Sequence, residues 1–303
     1  MLLLRLMKRN ILVYIRDKSN IFFSMLSMLI IIGLMVIFLG KMNADNVVAL
    51  LKQYGGQRDA AADQKNAEQL IMLWTLAGIV VVNSVMITYS MIGTMVEDEI
   101  QKRLSSFYVS PVKRLVFVMG YIFAAIAMAV IMCSLTVLIG EVYFGVIGAD
   151  LFTPVQLGKI FLFIILNVFV SSSLVFLILN FVHTQGALSG LGTIVGTLVG
   201  FMSAIYLPMG MLPSKVQLVL ECFPMIHGSS FLREIFTHDI MAKTFQNCPQ
   251  EMIDEYNKFM GMTIYFNDKV ISGVIKVTFL AISGIIFIVV SAFLQKRRNV
   301  MSR

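Results

Sequence analysis

Residues 96–114 read VEDEIQKRLSSFYVSPVKR, a long charged run in an otherwise apolar first two-thirds of the chain. Both flanking segments have the length and apolarity of membrane spans. The run itself reads as a short amphipathic helix against the inner membrane surface. Glu97, Asp98 and Glu99 stand at its expected start, where the positive end of a helix dipole favours acids. Asp98 with Lys102, and Glu99 with Arg103, are spaced i, i+4 as helical ion pairs. Ile100, Leu104 and Phe107 recur on one apolar face. Ser110-Pro111 ends the segment, because proline disfavours helix in the residue before it. Periodicity alone fits a solvated basic loop as well, so the rest of the chain decides.

The 303 residues are 58% hydrophobic and 14% charged. A soluble domain carries roughly 25% charged residues, so this composition places the chain in a bilayer. Runs of about 20 apolar residues suffice to cross the hydrocarbon. Six are found, near residues 21–39, 70–95, 115–147, 157–182, 187–207 and 273–294. Ahead of them, residues 1–20 carry an apolar stripe (Leu4, Met7, Ile11, Tyr14, Ile15) opposite Arg5, Lys8, Arg9 and Arg16. A helix of that type lies in the interface plane. It is too long for a signal-peptide leader, and no small-residue cleavage site follows at Asn43-Ala44-Asp45.

Basic residues near span ends set the orientation. They concentrate at the amino terminus, at Lys102, Arg103, Lys113 and Arg114, and at Lys296, Arg297 and Arg298. With six spans these all fall on one side, so both termini are expected in the cytoplasm. Residues 41–69, helical in part over 59–69, and residues 234–272 then form outer loops. Pro208, Pro213 and Pro224 interrupt apolar pieces too short to span, and residues 208–233 read as a re-entrant or interfacial hairpin closing on Arg233.

Within the spans, Asn83, Ser84 and Thr88 are candidate pathway contacts, with ordinary helix–helix hydrogen bonding as the equal alternative. Gly192, Gly196 and Gly200 form a repeated Gly-x-x-x-Gly pattern that lets helices approach closely, either within the chain or between copies. Glu141 lies near the outer interface. The formal charge of +7 is explained by the membrane-side bias and gives no nucleic-acid signal. Cys133, Cys222 and Cys248 lack metal-ligand spacing; Cys222 and Cys248 could both lie outside the cell. No phosphate-binding loop, zinc motif or nucleophile elbow occurs. The spans also hold no ladder of Asp, Glu and Lys of the kind proton-coupled carriers use, so any transport through this chain would need an external energy source.

Three blocks together resemble the permease subunit of a bacterial type-2 ABC exporter. They are Arg16-Asp17-Lys18 leading into Ile21-Phe22-Phe23, then Val96-Glu97-Asp98-Glu99 with Val109-Ser110-Pro111-Val112-Lys113-Arg114, then Leu207-Pro208, Leu212-Pro213 and Phe223-Pro224 followed by His227 and Leu232-Arg233. The resemblance implies an all-α, six-span permease domain over residues 21–303. It implies a coupling helix over about 96–108 (Glu97, Asp98, Glu99, Ile100, Lys102, Arg103, Leu104, Phe107) that docks a separate ABC ATPase, present in two copies. A second permease, identical or homologous, completes the assembly in the bacterial cell membrane. ATP and Mg belong to the ATPase, and this chain has no cofactor of its own. The expected activity is alternating access for an amphiphilic drug, lipid or peptide, with spans one, two and five lining the pathway. Ser203-Ala204-Ile205-Tyr206 lacks a glycine common in the family. The long segment 237–272 leans away from polysaccharide export. The rival readings are an ion-coupled carrier or channel working alone, and a membrane-embedded sensor.

Overall fold

The computed structural model describes residues 2–19, 21–22, 26, 33, 40–54, 58–103, 114–266 and 269–301. The expected first span, residues 21–39, therefore lies almost wholly outside the described residues, as do Leu104 and Phe107.

Ten α-helices are present among the described residues. They are α1 (Leu2–Arg16), α2 (Gly40–Tyr54), α3 (Ala60–Ile100), α4 (Arg114–Val146), α5 (Pro154–Leu179), α6 (Gln185–Met202), α7 (Ser214–Glu221), α8 (Pro224–Thr244), α9 (Gln250–Phe259) and α10 (Gly273–Met301). A two-residue antiparallel hairpin pairs β1 (Tyr265–Phe266) with β2 (Lys269–Val270). Among the described residues, five helices are long and apolar enough to cross a membrane: α3, α4, α5, α6 and α10.

The bundle is organised around α3. Its 41 residues at about 1.5 Å rise each extend roughly 60 Å, twice the hydrocarbon thickness. Both ends therefore project beyond an apolar middle. Helices α2, α4, α5, α6 and α8 all pack against it, and most of its middle is buried. In contrast, α4, α6 and α10 expose rows of large apolar side chains, among them Ile131, Leu138 and Val142 on α4 and Ile285, Ile286 and Val289 on α10. In lipid such faces need no protein cover.

Local chemistry sets the helix ends. Asp59 caps α3 by accepting from the Ala61 N–H, and Thr153 with Gln156 forms a capping box ahead of Pro154 at the start of α5. Four helices end in the same two-bond stop with a left-handed residue. At α4 and α9 that residue is glycine, Gly148 (φ 65°) and Gly261 (φ 68°). At α3 and α6 it is Lys102 (φ 55°) and Ala204 (φ 49°). After α3, the Lys102 N–H donates to Glu99 O and the Arg103 N–H to Asp98 O. After α6, the Ala204 N–H donates to Phe201 O and the Ile205 N–H to Gly200 O.

The segments expected as outer loops are largely helical, well beyond the helical stretch expected over 59–69. Residues 41–69 hold α2 and the first turns of α3, and residues 234–272 hold the end of α8, α9 and the β hairpin. The expected hairpin at 208–233 is a 3-10 turn (Met209–Met211), α7 and the first half of α8, which continues through Arg233 to Thr244. Tertiary bonds explain this order. Arg58 pairs with Asp63 at 2.9 Å and donates to Thr244 O and Gln246 O. Trp74 Nε1 donates to Met260 O at 2.9 Å. Cys222 and Cys248 are both free thiols.

Candidate functional site: a cleft along α3

One face of α3 lines a cleft of about 570 Å³. Asn83, Met86, Ser90, Gly93 and Glu97 recur at helical spacing along it. Leu188, Ser189 and Gly192 of α6 form the facing wall, and Val13 and Tyr14 of α1 close the end nearest Glu97. Of the three polar residues expected in a pathway, Asn83 lines this cleft while also donating to Thr136 Oγ1 at 3.1 Å. Ser84 and Thr88 lie on the opposite side of the helix. Ser84 Oγ is 2.8 Å from Ser171 Oγ and accepts from Asn167 at 2.8 Å, which ties α3 to α5. Thr88 donates back to Ser84 O and Val85 O of its own helix. These two are packing residues, because a step of about 100° per residue separates their face from that of Asn83.

The three glycines of α6 face inward. A Cβ at Gly192 would lie 3.1 Å from Tyr89 Cε1, one at Gly196 3.3 Å from Met86 Cε, and one at Gly200 2.1 Å from Tyr206 Cε2. The stripe thus admits large side chains of the same chain. Tyr89 also donates to Leu188 O at 2.5 Å, fixing α6 against α3 beside the cleft.

At one end of the cleft, Asp98 gathers three helices. Its Oδ2 accepts from Arg9 Nη2 at 2.7 Å and from Tyr121 Oη at 2.6 Å, and its Oδ1 faces Arg103 Nη1 at 3.4 Å. Arg9 also donates to Tyr121 Oη at 2.8 Å. This corrects the expected placement of the acids. Glu97, Asp98 and Glu99 occupy the last turn of α3, not the first turn of a separate helix. The negative end of the dipole disfavours a carboxylate there, and two guanidinium groups compensate. Half-burial works against the Arg9 charge, but the hydrogen bonds and charges of Asp98 and Tyr121 together outweigh it and hold Arg9 above its ordinary pKa. Asp98 pairs with Arg103 rather than Lys102 because Lys102 takes the left-handed turn. Glu97 instead accepts from Gln185 of α6 at 3.3 Å.

About two helical turns beyond the cleft along α3, Arg233 is fully buried beneath Trp74, with its guanidinium carbon 3.9 Å from the ring centroid. Its Nη2 donates to Ser203 O and Ala204 O, the carbonyls that follow α6. Those carbonyls and the helix dipole supply the negative potential that a carboxylate would otherwise give. Burial pushes the guanidinium down to about 9, which still leaves it charged at neutral pH. Nearby, fully buried Lys276 of α10 contacts Glu234, donates to Ser230 Oγ at 2.8 Å and reaches Met262 O at 3.2 Å. Burial raises Glu234, and Lys276 partly offsets the rise. Pro208, Pro213 and Pro224 mark the starts of the 3-10 turn, α7 and α8 in this region.

Sequence reasoning missed the pairing of Arg9, Tyr121 and Asp98 and the buried Lys276. For Lys276 a signal existed, since a lysine inside an apolar span implies a buried partner. Glu141 accepts from the Phe152 N–H at 3.3 Å and ties the end of α4 to the following loop. No group of three or more metal-ligating side chains occurs among the described residues.

The arrangement is that of a long rod grooved on one face and clamped at its final turn. It offers a passage or a lever. The profile of a family described as ABC-2 family transporter protein matches residues 57–293. No curated protein matches the chain.

Proposed function

Because this chain belongs to the ABC-2 family of transporters, a membrane component of ABC transporters that pairs with an ABC ATPase, we propose that it forms the translocation pathway of an exporter for an amphiphilic cargo. Residues 21–39 supply a sixth span ahead of α3, and α1 lies in the interface at the cytoplasmic surface. The segment 208–233 forms a re-entrant hairpin at the outer mouth. Both termini face the cytoplasm of a bacterial cell. Two such permeases, identical or paired homologues, and two ATPases make the working assembly, with ATP and Mg held by the ATPases.

The single observation that carries this reading is the geometry of α3. One continuous helix presents the cleft on one face, while its final turn is clamped through Asp98 to α1 and α4. Motion imposed at that turn is transmitted along a rigid rod to the cleft wall. Glu97, Glu99, Ile100, Lys102 and Arg103, with Leu104 and Phe107, form the surface that engages the ATPase, and Asp98 positions it from behind. The cleft pairs apolar Val82, Met86 and Leu188 with polar Asn83, Ser90, Thr94 and Gln185, a mixture suited to a drug, lipid or apolar peptide. Nucleotide-driven closure of the ATPases then moves the rods and exposes the cleft alternately to each side.

The test is reconstitution with the cognate ATPase. Charge reversal at Lys102 and Arg103 is expected to abolish co-purification and stimulation of ATP hydrolysis while the permease stays folded. Movement of an amphiphilic dye by the permease alone, in proteoliposomes without ATPase or ATP, would falsify the reading and favour a self-sufficient carrier.

A further inference from the structure

We propose that α1 is a recognition surface for anionic lipid headgroups, and that it passes lipid engagement to the end of α3 through Arg9. The proposal rests on the placement of α1 at the cytoplasmic surface and goes beyond it by naming what the helix selects.

The cations of α1 are divided between two tasks. Arg9 turns inward to Asp98 and Tyr121. Arg5, Lys8 and Arg16 are exposed and have no ion pair or hydrogen bond among the described residues. The helix contains no acidic residue at all, the first in the chain being Asp17. The exposed cations are interleaved with exposed Leu4, Leu12 and Ile15, of which Leu4 is 66% exposed. The buried side is narrow, made of Leu6, Asn10 and Tyr14 against the bundle, with α4 as the neighbour.

A surface that alternates large aliphatic groups with uncompensated cations is mismatched to water and to a neutral protein face. An anionic leaflet satisfies both parts, taking the aliphatic groups at the acyl boundary and the cations among the phosphates. Each lysine or arginine near such a surface contributes about 1 kcal/mol, or roughly fivefold in occupancy. An acidic protein surface would satisfy the cations but leave Leu4 and Ile15 exposed, so the lipid surface is the better occupant. The consequence for mechanism lies in the helix's other side. Arg9 and the three exposed cations share one 15-residue helix, so fixing that helix in the headgroup layer also fixes the partner of Asp98.

The experiment uses the full-length permease in nanodiscs, with Leu4→Trp as reporter and acyl-chain-brominated lipids as quencher. The native Trp74, buried and stacked against Arg233, provides the subtracted background. Discs of phosphatidylcholine are compared with discs containing one-third phosphatidylglycerol. Quenching of the reporter is expected to rise with the anionic lipid and to fall when salt is raised. Replacing Arg5, Lys8 and Arg16 by Gln is expected to lower the anionic-over-neutral preference by roughly fivefold per side chain. Equal quenching in the two discs, or an unchanged preference in the triple variant, overturns the proposal. So does protection that appears only on adding the ATPase, which would make the surface a protein contact. The side of the membrane is read separately, by labelling a Leu12→Cys variant with an impermeant reagent. An outer location would sink the transport orientation while leaving the headgroup measurement interpretable.

Discussion

Arg9 and Asp98 are 89 positions apart in sequence, and Arg9 Nη2 lies 2.7 Å from Asp98 Oδ2. This contact joins the amino-terminal helix to the end of the central rod, and Tyr121 completes it from α4. Asp98→Asn is expected to destabilise the protein by about 1–3 kcal/mol, the range for hydrogen bonds to charged groups, lowered here because Arg9 reaches solvent. Arg103→Ala should cost less than about 1 kcal/mol, since that side chain is 61% exposed. The double exchange Arg9→Asp with Asp98→Arg should recover part of the loss in a double-mutant cycle read by thermal unfolding in detergent.

The left-handed residues at Lys102 and Ala204 cost strain that glycine would not, of order 1 kcal/mol each. Ala204→Gly and Lys102→Gly are expected to be tolerated or to stabilise by up to about 1 kcal/mol, after glycine's larger unfolded-state entropy is counted. The other two such stops, at Gly148 and Gly261, carry glycine. Among these four stops the strain falls only where α3 and α6 end, the two helices that wall the cleft, and strained backbone is typical of places that change conformation. If Ala204→Gly stabilises the fold and slows transport with the ATPase present, the strain serves the cycle.

The two faces of α3 should respond differently to substitution. Ser90→Phe fills the cleft and is expected to reduce transport more than tenfold with a small effect on unfolding temperature. Ser84→Ala removes a buried hydroxyl shared by Ser171 and Asn167 and should cost about 1–3 kcal/mol by leaving partners unsatisfied. Transport loss by Ser84→Ala at unchanged stability would instead put Ser84 in the pathway.

His227 gives the protein a pH-dependent stability. Burial lowers its pKa, Glu221 O partly raises it, and the Lys276 charge lowers it further. Nε2 is 2.7 Å from Glu221 O, while Nδ1 is buried without a partner among the described residues. The folded state therefore resists protonation more than the unfolded chain does. Stability is retained above the ordinary histidine value near 6.5 and falls as pH drops through it toward the lower folded value. Unfolding temperatures between pH 7.5 and 5 should decline for the natural protein and decline less for His227→Gln.

The glycines of α6 show where local pattern stops being informative. Their spacing marks a face of close approach, and the sequence left open what approaches. Tyr89, Met86 and Tyr206 fill the space, and which side chain enters a groove depends on how two helices are rotated against each other. The same holds for Ala204. The absence of glycine there was visible, but the backbone angle it would have relieved was not. Residues 41–69 and 234–272 read as loops because their mean polarity is high. They fold as helices because Arg58, Trp74, Lys65 and Gln69 supply bonds from distant positions.

What the sequence alone determined is whatever depends on a sum over neighbouring residues: membrane residence, the positions of five long apolar helices, and the family. Hydropathy and charge bias are local averages, and they survive without knowledge of packing. What only the tertiary structure decided is the direction each polar side chain takes. Asp98 turns inward to Arg9 instead of outward beside Lys102, Asn83 faces a cleft while Ser84 faces a helix, and Lys276 is hidden against Glu234. Each outcome is set by a partner between 42 and 89 residues away, and a buried charge or hydroxyl goes wherever such a partner satisfies it.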